Sequence, residues 1–165
     1  MDENTEIPLR PDAFKTIVFG GLIVGVLDLI DAVTFYWFYA NVPPIRIFQS
    51  IASGLVGREA SREGGWNMAI LGIFLHFIIA TLIAVVFYLA SLKLPVLIRK
   101  AVPLGMVYGV VCYFVMQYVV LPLSNFPKGG SFTWGPFING IVGHALLVGL
   151  PVALIARWSV KKSSS

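Results

Sequence analysis

The sequence predicts an all-α integral membrane protein, a four-helix bundle, and three observations carry that prediction. Hydrophobic residues fill 58% of its 165 positions and charged residues only 12%, and the mean hydropathy of +0.85 is far above that of a water-soluble domain of this length. Apolar runs long enough to cross a hydrocarbon layer of about 30 Å recur at about residues 16–40, 67–91, 101–121 and 137–158. Prolines and polar clusters separate these runs. The formal charge of +4 does not indicate a nucleic-acid partner, because the Lys and Arg residues are scattered between spans and form no basic helix.

Residues 1–15 are polar and carry Pro8 and Pro11, which predicts a short solvent-exposed arm. The arm is acidic rather than basic, and the apolar run after it is too long for a signal-peptide core, so residues 16–40 read as a retained first span. Asn41-Val42-Pro43-Pro44 ends that span, since proline has no N–H to continue the ladder. Its last residues, Phe35 to Tyr39, are all aromatic and suit the headgroup level of a bilayer.

Residues 45–57, IRIFQSIASGLVG, place Ile47, Phe48, Ile51, Ala52 and Leu55 at helical spacing, with Arg46, Gln49, Ser50 and Ser53 on the other side. This short amphipathic or re-entrant helix is too short to span. It can lie on the membrane surface, or dip in and return where protein or a wet cavity covers its ends. The charged, glycine-ended stretch Arg58 to Gly65 belongs outside the hydrocarbon.

The second span closes at Leu92-Lys93-Leu94-Pro95, and the third stops at Leu121-Pro122. A turn-rich loop, Leu123 to Gly130, leads towards the fourth span, in which Pro151 should introduce a kink unless neighbours re-satisfy the freed carbonyl. Residues 16–158 thus form one transmembrane domain, and 159–165 form a basic tail. Four spans leave both termini on one side, with Arg10, Lys15, Lys93, Arg99, Lys100, Arg157, Lys161 and Lys162. The other side holds Arg46, Arg58, Arg62 and Lys128. The positive-inside rule therefore puts both termini in the cytoplasm.

Glycine spacing suggests two tandem helical hairpins. Gly21-x-x-x-Gly25-x-x-Asp28 in the first span matches Gly105-x-x-x-Gly109-x-x-Cys112 in the third, and Gly72-x-x-x-His76 in the second matches Gly140-x-x-x-His144 in the fourth. These glycines read as close-packing devices between helices rather than phosphate-binding loops. Glycine is common in membrane helices, so the match also fits two unrelated hairpins.

Asp28 and Asp31 are the costliest residues in the chain. A carboxylate at the centre of a membrane helix costs roughly 2.5 kcal/mol or more on insertion scales, so it faces the protein interior and has a partner or a task. At about 1.5 Å per residue, Asp28, Asp31, His76, His144 and Gln117 all fall in the outer half of the bilayer. Asp28 and Asp31 share a helix face and could hold one proton between them or grip one cation, with His76 or His144 as the natural partner. Two Asp and two His would also suit zinc or manganese, whereas the commoner role of a membrane histidine is an interhelical hydrogen bond. No motif implies a cofactor. The lone cysteine, Cys112, reads as a small packing residue, and no serine has a histidine near it in sequence to make a nucleophile.

The first-span run GGLIVGVLDL, the outside segment IRIFQSIASGLVG, LGIFLHF in the second span, MQYVVLPLS closing the third and Gly140-x-x-Gly143-His144 in the fourth resemble a group of small uncharacterised bacterial inner-membrane proteins. The layout is more distantly similar to YagU-like proteins, which lack the Asp28 and Asp31 pair. The resemblance implies a bacterial cytoplasmic-membrane location and carries over no reaction. Three functions then stand open. One is a small proton- or cation-linked transporter or channel, built as a homo-oligomer because four spans enclose little interior. The second is a membrane scaffold or assembly factor whose outer segment docks a protein partner. The third is an enzyme acting on lipid or quinone.

Overall fold

In the structure, a computed structural model that describes residues 10–128 and 132–160, every regular element is helical. Four helices are long and apolar enough to cross a membrane: α1 (Lys15–Ala40), α4 (Gly65–Lys93), α6 (Ala101–Leu123) and α7 (Trp134–Trp158). Between α1 and α4 lie α2 (Pro44–Val56) and α3 (Arg58–Glu63), and the single-turn α5 (Val96–Arg99) precedes α6. The second span runs two residues further at each end than expected, and the fourth starts three residues earlier. The third span does not stop at Leu121-Pro122 as expected but continues through Pro122 to Leu123, whereas the stop after the first span acts as predicted. Asn41 takes the left-handed conformation, with φ 51°, while its N–H bonds Trp37 O and that of Val42 bonds Tyr36 O, so α1 closes before Pro43 and Pro44.

Residues 10–15 depart from the expected exposed arm. Pro11 is buried, and the Asp12 carboxylate accepts the Lys15 N–H at 3.0 Å as an N-cap, so helix begins at Ala13. The Asp12 N–H bonds Ser159, and Thr16 Oγ1 lies 3.0 Å from Ser159 Oγ, both residues being buried. The start of α1 is therefore fastened to the end of α7. Residues 1–9 and the tail from Lys161 lie outside the described residues.

The first two long helices and the last two each pack through the predicted glycines. A Cβ on Gly21 would sit 2.8 Å from Thr81 Cα, and one on Gly105 would sit 2.6 Å from Ala153 Cβ, so α1 meets α4 and α6 meets α7 at backbone distance. Gly25 lies against Phe77 and Gly109 against the backbone of His144 and Ala145. In the register that superposes Gly72 and His76 on Gly140 and His144, Phe77 falls on Ala145, so the two pairs use the same contact level.

The half of the molecule that contains the chain ends is filled. Val24 from α1, Ala80, Ala84 and Phe87 from α4, and Val148, Val152, Ala153 and Ala156 from α7 form one buried cluster with Ile98 and Ala101. Tyr108 of α6 closes it by donating to the Ile83 carbonyl at 2.7 Å and packing edge-on against Phe87. The outward side chains, such as Ile70, Phe74, Ile78, Leu82 and Val86 of α4, are exposed hydrophobics at near four-residue spacing, a surface consistent with contact to a lipid bilayer.

At the opposite end the long helices are bridged by α2. Gly72 lies directly beneath the Phe48 carbonyl, where any Cβ would collide, and Ala52 and Ala69 are fully buried at the same crossing. Gln49 donates to the Gly65 carbonyl at 2.9 Å and Ser61 donates to the Gln49 carbonyl, which ties α2, α3 and α4 together. Asn125, just past α6, donates from its backbone to Gly54 O and from its side chain to Leu55 O, both at 2.8 Å. These are carbonyls that the end of a helix leaves unpaired.

Pro151 brings a local change of helix type in place of a sharp break. The turn His144–Gly149 is π-helical and ends just before Pro151, as the π-helical turn Met116–Val120 ends just before Pro122. Proline lacks the N–H and its ring collides with the carbonyl four residues back; widening the preceding turn moves that carbonyl aside.

Candidate functional site

Above the filled half, the four long helices and α2 enclose a cavity of about 670 Å³. Its walls are largely apolar and aromatic, including Phe35, Tyr36, Tyr113, Phe126 and Phe137. Asp28, Asp31, His76, Gln117 and His144, the five residues singled out from the sequence, all line it. The depth estimate put them in one layer; the fold turns them inwards to one space.

Within that space they divide into separate pairs. His144 Nδ1 lies 3.9 Å from Asp28 Oδ1, and both side chains keep about a quarter of their surface or less accessible, 20% and 26%. That distance is an ion-pair contact when the imidazole is protonated and leaves both groups open to the cavity. His76 instead bonds the Gly25 carbonyl at 2.9 Å; because a carbonyl only accepts, Nε2 carries the hydrogen and donates. His76 is thus an interhelical tie between α4 and α1, and His144 is the acidic pair's neighbour. Among the described residues no group of three or more His, Cys, Asp or Glu side chains is placed to hold a metal ion.

Asp31 has a partner that the sequence reading missed. Asn139 Nδ2 donates to Asp31 Oδ2 at 2.9 Å, and Gly143, one turn on, offers no Cβ where Asp31 Oδ2 approaches to 2.9 Å of that position. Gly140 likewise leaves room for the Tyr113 ring, whose edge packs on the His144 imidazole at 5.4 Å between centroids. One face of α7 therefore serves the acidic pair throughout: Asn139 and Gly143 for Asp31, and His144 for Asp28. The available signal was Asn139 itself, an amide in an apolar span, costly for the same reason as the aspartates.

Gln117 faces the cavity from α6 and stays exposed within it. It sits on the π-helical turn Met116–Val120, and His144 opens the turn His144–Gly149, so both irregular turns border the cavity. Such turns recur where a helix must aim a side chain at a site.

Among the described residues no Lys or Arg lines this cavity. The countercharge available to Asp28 and Asp31 from its walls is a proton on a histidine, and anything further has to enter. A second cavity, of about 690 Å³, lies at the chain-end side among Arg10, Pro11, Asp12, Phe14, Tyr88 and Leu92, and none of the five polar span residues borders it. The filled cluster separates the two.

In comparisons with protein-family models, curated proteins and solved structures, the chain matched none.

Proposed function

We propose that this protein is a small proton- or cation-linked transporter of the bacterial cytoplasmic membrane, with both termini cytoplasmic and the cavity open towards the outer half of the bilayer. The observation that carries the proposal is the convergence of Asp28, Asp31, His76, His144 and Gln117, drawn from all four long helices, on one cavity that no Lys or Arg among the described residues lines. Ionisable groups in a membrane interior are retained for transport or proton relay far more readily than for packing. The packed cluster from Val24 to Ala156 beneath the cavity favours a carrier that opens alternately over a permanently open channel. In this reading the four long helices form a membrane bundle of two repeated hairpins, matched at the level of Gly25 and Gly109. One copy supplies the whole cavity, so transport through it needs no second copy.

In the same reading α2 dips into the membrane and returns, bordering the cavity; the carbonyls of its last turn, Gly54 and Leu55, are capped by Asn125 and its middle packs on Gly72, the protein cover that a non-spanning segment at membrane depth requires. A scaffold role would need this segment for a partner, yet Ile47, Gln49, Ala52 and Ser53 are already buried against the chain itself.

The test is flux in proteoliposomes. Asp28→Asn should reduce proton or cation flux to the level of empty liposomes, while thermal unfolding in detergent shows the variant folded. Undiminished flux in that variant removes the proposal. With Cys112 replaced by Ala, single cysteines placed at positions 58 and 128 should label from outside intact cells, and one at position 93 only after permeabilisation.

A further inference from the structure

The geometry points to an amphipathic organic cation as the cavity's ligand, an ammonium-type charge on an apolar body, bound in exchange for the proton held between Asp28 and His144. This inference rests on the transport reading for its coupling and on the cavity alone for its ligand class.

Size comes first. About 670 Å³ is the volume of a site for a drug-sized organic molecule, and far more than a bare metal ion uses. A hard inorganic cation is held by a close cage of oxygens, whereas this cavity spreads its polar groups over several helices around a largely apolar lining. The described residues assemble no group of three ligands suited to a metal.

Charge comes second. Asp28 and Asp31 bring up to two negative charges, and among the described residues the lining has no fixed positive charge to set against them. An anion entering this space would meet like charge without compensation. A neutral ligand would leave the carboxylates as they are. A cation supplies the missing countercharge.

The walls come third. Phe35, Tyr36, Tyr113 and Phe137 line the same cavity as the acidic pair. Aromatic faces attract cations, and more strongly where water is excluded. Ring walls with carboxylates at one side suit a molecule that is apolar over most of its surface and positive at one end.

The exchange follows from the Asp28 and His144 separation of 3.9 Å. Without ligand, a proton on His144 makes the pair. A ligand cation beside Asp28 takes the place of the imidazolium; His144 then loses its proton to water, and the cavity's net charge is unchanged. The other titratable groups facing this space are Asp31 and Tyr36 on α1, His76 on α4, and Tyr113 and Tyr118 on α6, while α2 brings none. Asp31 is held by Asn139 and His76 by the Gly25 carbonyl, which leaves Asp28 and His144 as the pair free to exchange.

The probe is tetraphenylphosphonium, with tetraphenylborate as its counterpart of equal shape and opposite charge. Binding to the full chain in detergent is followed by equilibrium dialysis, and proton release by an indicator dye in weak buffer. Saturable binding of the phosphonium with release of close to one proton is expected, weakened at least tenfold in Asp28→Asn, with no saturable binding of the borate. His144→Gln should keep phosphonium binding and lose the proton release. Equal binding of both ions to the wild-type chain would overturn the proposal even if the Asp28 variant does not fold, and so would unchanged affinity in a folded Asp28→Asn. Asp28-dependent proton flux in liposomes without phosphonium binding would overturn the ligand class and leave the transport reading standing. Saturable, proton-releasing binding with no flux of either ion would sink the transport reading and leave the site.

Discussion

The two halves of this molecule solve opposite problems with the same four helices. Towards the chain ends, glycine and alanine bring backbones together until Val24, Ala84, Phe87, Val152 and Ala156 are between 0% and 1% exposed. Towards the other end, the helices carry Asp28, Asp31, Asn139 and His144, spread around larger rings, and leave about 670 Å³ unfilled. Small residues close space because in lipid helices gain most by close van der Waals packing of their backbones; polar residues hold it open because each needs a partner or a solvent. One consequence is that substitution should be tolerated very differently in the two halves.

The largest effect belongs to the closed half. Gly105→Val would drive a branched side chain into Ala153 and the Gly149 carbonyl, and more than about 4 kcal/mol of lost stability is expected, seen as failure to elute as a single species from gel filtration. Survival of that variant with native stability would end the distinction between the halves. Next, Phe87→Ala, which empties the centre of the cluster, should cost about 3 to 5 kcal/mol in thermal or denaturant unfolding. A cost below about 1 kcal/mol would mean that the filled half is as loose as the other.

At the open half, losses should follow hydrogen bonding. Asn139→Leu removes the donor to Asp31 and should destabilise by about 1 to 3 kcal/mol, most of which returns when Asp31→Leu is added. Absence of coupling between the two changes would show that the pair is not a unit. The smallest effect is expected at Gly54 of α2, where a Cβ would meet only Ser124 at 3.7 Å, so Gly54→Ala should be neutral or stabilise by up to about 1 kcal/mol.

The span ends and the inward-facing polar layer were legible because both obey one-dimensional rules. The prolines after the first and second spans, Pro43 and Pro95, mark where those helices end, and the shared level of Asp28 and His76 is a matter of counting residues at a fixed rise. Roles within the layer were not legible. Which histidine meets Asp28 depends on how α4 and α7 are rotated, and the sequence presents His76 and His144 in identical Gly-x-x-x-His settings. Asn139 was overlooked because an amide carries no formal charge, although burying it unpaired in lipid is similarly unfavourable. Residues 10–15 read as polar and free because the hydrogen bonds that tie Asp12 and its neighbour Thr16 into the fold come from Ser159, at the far end of the described chain. The seat of α2 on Gly72 was likewise hidden: the glycine's function there is to meet a carbonyl from another helix, and spacing within α4 cannot reveal it.

The bond from Asn139 to Asp31 joins residues 108 positions apart in the chain. At a synthesis rate of about 5–20 residues per second, the ribosome delivers Asn139 roughly 5 to 20 s after Asp31. For that interval the hairpin of α1 and α4 sits in the translocon or the lipid with two aspartates and neither α7 partner. A nascent chain arrested after α4 should therefore need shelter, from an insertase or from protonation of its own carboxylates. Release of α7 is the step that ends that need, and the joining of Asp12 to Ser159 then secures the first-made end of the protein with the last.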